Sequence, residues 1–159
     1  AMVVTGVVAA GCSQVGVLKG KMAFKDANGL YQGQDYRAAA AKYEEALTEC
    51  AAGGDTCTNP DLDAAYFFLA NSYDNMYRPA KRGEAANDEL LTKAIANYKK
   101  SAEIETDPKL KRLALDYLVN AYGPDKLNDP AQAEQFFAWG VNAIFTDIPG
   151  PMLQKFGKS

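Results

Sequence analysis

The chain has no histidine in 159 residues. That absence removes Ser/His and Cys/His nucleophile pairs, imidazole metal sites and the usual proton shuttle near neutral pH. Basic blocks are lacking as well. Seventeen Lys and Arg stand against 20 Asp and Glu, for a formal net charge of −3, so nothing tracks a phosphate backbone and nucleic acid is not expected as a partner. Cysteine is scarce, and Cys12, Cys50 and Cys57 do not supply the four soft ligands of a structural zinc site. Gly6, Gly11, Gly16 and Gly20 lack the Lys and Ser/Thr of a phosphate loop and the strand and helix order of a dinucleotide fingerprint. Glu44 with Glu45, Glu103 with Glu105, and Asp125 with Asp129 are the nearest approach to paired carboxylates, and they read as solvated helix faces and caps. No metal, cofactor or small-molecule substrate is expected, and the chain reads as non-catalytic.

What is present divides the chain unevenly. Ala1 to Leu18 carries no charge, whereas charges recur every few positions from Lys19 onward. The uncharged stretch approaches the length of a membrane span but is interrupted by Gly6, Gly11, Ser13, Gln14 and Gly16. Val3, Val4, Val7 and Val8 are stiff at χ1 and favour an extended chain, so residues 1–18 are expected as an apolar arm, extended or partly helical. From Lys19 the apolar spacing is helical, and six helices are expected. The first runs from about Lys19 to Tyr31. The second opens at Asp35, the third at Asn59, Pro60 and Asp61, and the fourth near Asp88. The fifth opens at Asp107 and Pro108, and the sixth spans about Ala131 to Phe145. Residues 149–159 form a tail.

The second, fourth and sixth helices share a small residue, an aromatic four later and a small residue three after that. The triplets are Ala39, Tyr43, Ala46; Ala94, Tyr98, Ser101; and Ala133, Phe137, Gly140. Small residues let helices approach while the aromatic fills the space beside them. The preceding helices carry Leu69, Ala70, Tyr73 and Leu118, Val119, Tyr122, with a weaker Asp26, Ala27, Leu30 in the first. This pattern resembles the tetratricopeptide (TPR) repeat, in three irregular copies at about 19–52, 60–106 and 107–146 within a 19–148 domain. The chain is thus expected to be all-α, a TPR-like solenoid of helix-turn-helix units. Ala39 to Ala94 is 55 positions and Ala94 to Ala133 is 39, against about 34 in the family, which leaves insertions around the cysteines and residues 78–87.

The resemblance implies a groove lined by the first helix of each unit. By equivalence its residues are Phe24, Asn28 and Tyr31, then Phe67, Asn71 and Asp74, then Asp116 and Asn120. Asparagines at one equivalent position can donate to and accept from an extended peptide backbone. Leu113 and Asp116 replace the basic residues that clamp a carboxylate in some relatives.

Cys50 and Cys57 bracket AAGGDT, whose glycines permit the reversal that a local disulfide needs. The alternative is two reduced thiols. A disulfide points to an extracytoplasmic chain and leaves Cys12 for lipidation, an intermolecular bond or a free thiol. Ala9, Ala10, Gly11 and Cys12 resemble a bacterial lipobox, but the short stretch before them has no positive residue. Ala1 to Leu18 is therefore expected to stay with the mature chain, held against something apolar. The last helix is rich in Phe136, Phe137, Trp139, Val141, Ile144 and Phe145, where a solenoid needs a polar cap. Two functions follow as expectations. One is a secreted protein that polymerises head to tail with itself into an extracellular filament. The other is an envelope adaptor, lipid-anchored at Cys12, that scaffolds a membrane complex.

Overall fold

The computed structural model describes residues 9–51 and 56–146, with side chains over 14–51 and 56–141. Six α-helices follow one another: α1 (Ala9–Gln32), α2 (Tyr36–Ala51), α3 (Ala64–Met76), α4 (Ala85–Ile104), α5 (Pro108–Ala121) and α6 (Pro130–Thr146). Among the described residues there is no strand. Each helix packs on the next in sequence, and α3 also touches α1 and α5. The all-helical expectation therefore holds, and each helix after the first begins within a few residues of its expected start.

The starts are set by short polar side chains. Asp35 Oδ1 accepts from Ala38 N at 3.1 Å, Asp107 Oδ1 from Lys109 N at 2.8 Å and Asp129 Oδ1 from Gln132 N at 3.1 Å. Each satisfies an N–H that has no intrahelical partner. Asn59 caps in the same way, accepting from Asp61 N at 3.0 Å, but what it opens is a single 3-10 turn, Pro60–Leu62. Helix α3 starts just beyond that turn.

Helix α1 departs from expectation. It begins at Ala9 rather than Lys19, so the described part of the uncharged stretch is helical and continuous with the helix expected from Lys19. Packing overrides the poor helix propensity of its glycines. Gly16 and Gly20 are buried, and a Cβ on Gly20 would stand 2.7 Å from the Ala46 carbonyl oxygen. The glycine thus lets α1 lie close on α2. Cys12 falls within this helix, while Val3, Val4, Val7 and Val8, and the 149–159 tail, lie outside the described residues.

Residues 78–87 are partly turn and partly helix. A 3-10 turn spans Pro79–Lys81, and α4 starts at Ala85. Asn87 closes the stretch: its Oδ1 accepts from Arg78 N at 2.9 Å and its Nδ2 donates to Arg78 O at 3.1 Å.

The core is built from alanine and aromatic residues. Ala27, Ala39, Ala46, Ala70, Ala94 and Ala114 are fully buried, and rings fill the space that these small residues leave. Cys50 and Cys57 are joined by a disulfide, with Cα atoms 5.1 Å apart, which ties the end of α2 to the approach to α3. The bond is compatible with an extracytoplasmic location. No helix among the described residues is long and apolar enough to cross a membrane.

Candidate functional site

The expected groove residues divide into those the fold uses and those it presents. Phe24, Asn28 and Tyr31 are half-buried along α1. The Phe24 ring lies 5.8 Å from Tyr43, and Asn28 Oδ1 accepts from the Tyr43 hydroxyl at 2.7 Å. Phe67 is buried, with its ring 5.8 Å from both Tyr98 and Tyr117.

Asn71 is a hub. It is buried, its Oδ1 accepts from the Tyr31 hydroxyl at 2.6 Å and from Asn75 Nδ2 at 2.8 Å, and its Nδ2 donates to the Tyr98 hydroxyl at 3.1 Å. Its carboxamide therefore links α1, α3 and α4. Asp74 is held by Lys126, whose Nζ lies 2.6 Å from Oδ1 in a largely buried pair. That pair fastens the α5–α6 turn to α3. Asp116 and Asn120 are exposed on α5.

These contacts shape the ionisation of the tyrosines. Burial raises the Tyr98 hydroxyl pKa far above its ordinary value, with Asp74 adding to the shift. Burial also raises Tyr43, with Tyr31 beside it, and Tyr73, whose hydroxyl donates to Glu44. All stay protonated at neutral pH.

The carboxylate pairs do not converge. Glu44 accepts from Tyr73, Glu45 pairs with Lys42, Glu103 with Lys100, and Glu105 Oε1 accepts from Asp107 N at 2.9 Å. Among the described residues no three His, Cys, Asp or Glu side chains gather as a metal site.

The most distinctive surface feature is the placement of exposed apolar side chains. Val15, Leu18 and Met22 are exposed on α1, and Leu113, Leu127, Phe137 and Trp139 on α5, the turn after it and α6. Among the described residues, α2, α3 and α4 expose no large aliphatic or aromatic side chain of this kind. A shallow cavity of about 50 Å³ lies between α5 and α6, lined by Arg112, Asp116, Val119, Phe136, Phe137, Gly140 and Val141.

Sequence reasoning did not find the Asp74–Lys126 pair, which spans 52 positions, nor Lys99 at 5.5 Å and 5.4 Å from the Tyr122 and Phe136 ring centroids. No local pattern marks either contact. Comparison of the chain with protein-family models, curated proteins and solved structures yields no match.

Proposed function

We propose that this is a non-catalytic structural and protein-interaction chain, a TPR-like solenoid of three repeats that assembles head to tail with copies of itself. The carrying observation is that, among the described residues, large exposed apolar side chains are confined to the first helix and the last hairpin. A solenoid whose terminal units lack a polar outer face needs a neighbour at each end. Joining one end to the other end of a second copy is a heterologous contact, and it extends indefinitely when the rotation does not close. The contacts of α3 with both α1 and α5 support the repeat reading, because the first helices of successive units then line one side. The disulfide supports assembly outside the cytoplasm.

Negative-stain microscopy of the concentrated protein tests this reading. Linear particles with a regular axial repeat are expected, and monodisperse 17.2 kDa particles at high concentration would refute it.

A further inference from the structure

The asparagines align α1, α3 and α5, and the small-aromatic-small triplets align α2, α4 and α6. In this register the two internal junctions between repeats are built alike. Tyr43 of α2 is fully buried and Phe68 of α3 stacks on it, with ring centroids 6.0 Å apart. Tyr98 of α4 is fully buried and Tyr117 of α5 stacks on it at 5.2 Å. Phe68 is flanked on its face by Ala65 and Ser72, and Tyr117 by Ala114 and Ala121, all four fully buried.

The first and last described helices carry the two halves of a third such junction. The equivalent of Tyr43 and Tyr98 is Phe137, which is 63% exposed. The equivalents of Ala65, Phe68 and Ser72 in α1 are Met22, Lys25 and Gly29, all exposed. We propose that α1 of a second copy docks on the α5–α6 face as a seventh helix, in the register by which α3 follows α2 and α5 follows α4.

This inference rests on the head-to-tail reading and specifies its contact. Lys25 of the second copy replaces the stacked ring over Phe137, where a cation is attracted by the ring face. The internal junction also tells what else Lys25 meets. Phe67 of α3 lies 5.8 Å from Tyr117 of α5, and the same step from α5 to the next first helix sets exposed Asp116 beside Lys25. The charges are complementary. Since α2 ends where α3 begins, joined by the disulfide, the two run antiparallel. The same arrangement brings Met22 to the cavity beside Gly140 and Val141, where a long flexible thioether fits irregular space. An aromatic pair within the chain is thus exchanged for a lysine and an aspartate between chains, which selects copy-to-copy order at the ends.

Charge reversal tests the register on the intact chain. Lys25→Glu and Asp116→Lys alter exposed side chains, so both variants should keep the wild-type circular dichroism and melting. Each alone should raise the concentration for half-assembly at least about tenfold, the cost of a like-charge contact across an interface. The double variant should recover assembly. An equimolar mixture of the single variants should also assemble, because the carboxylate introduced in one meets the ammonium introduced in the other, though alternating order slows it. Wild type that assembles while both single variants do so equally well overturns the docking and leaves head-to-tail association standing. Wild type that never assembles overturns the reading on which it rests.

Discussion

Asn71 accepts from Tyr31 and donates to Tyr98, so Asn71→Ala leaves two buried or half-buried hydroxyls without their partner. Unsatisfied buried groups of this kind cost about 2 kcal/mol, and urea denaturation should show that loss with an unchanged slope. Asp63 behaves in the opposite sense. Burial, with the Glu105 carboxylate adding to it, raises the Asp63 pKa above its ordinary 3.8. An acid raised in the folded state is penalised when charged, so the penalty is fully present at neutral pH and is relieved as pH falls through the raised value towards 3.8. Asp63→Asn should therefore be more stable than wild type at pH 7, and the two stabilities should converge as the solution is acidified. Denaturation midpoints measured across that range would show it, and a constant difference would refute the assignment. At this scale the sequence was legible in its caps and opaque in its networks. Asp35, Asp107 and Asp129 act on N–H groups two or three residues away, which spacing reveals. The bonds of Asn28 to Tyr43 and of Asn71 to Tyr31 join residues 15 and 40 positions apart, which no local spacing marks.

The helices show the same division between local and distant causes. Proline and a capping residue placed α5 and α6, whereas the start of α1 was hidden by glycines whose role appears only when α2 is in place. Gly16, which interrupts the uncharged stretch, is buried within α1, and at Gly20 α1 lies tight against the α2 backbone. Residues 78–87 were illegible because Asn87 recognises the backbone of Arg78, nine positions earlier. The cysteine spacing, by contrast, is a local signal, and the Cys50–Cys57 bond bears it out. Cross-linking over a separation of 7 residues removes enough chain freedom from the unfolded state to contribute about 2 kcal/mol. Replacing both cysteines by serine should lower the unfolding free energy by that amount, and the increased exchange of amides should concentrate at the end of α2 and the start of α3.

For the whole molecule, the interior is built where each helix packs on the next. Aromatic side chains run in contact from Tyr31 and Tyr43 through Phe68 and Phe67 to Tyr98 and Tyr117. Phe137 has the sequence register of the buried Tyr43 and Tyr98, yet it is 63% exposed. In the association proposed above, Lys25 of a second copy covers Phe137 where the interior stacks a ring. Sedimentation velocity of the wild-type chain over a wide range of concentrations tests this most directly. The account predicts a mass that climbs with concentration through successive multiples of 17.2 kDa with no plateau. A single monomeric boundary throughout, or a plateau at a closed dimer, would contradict it.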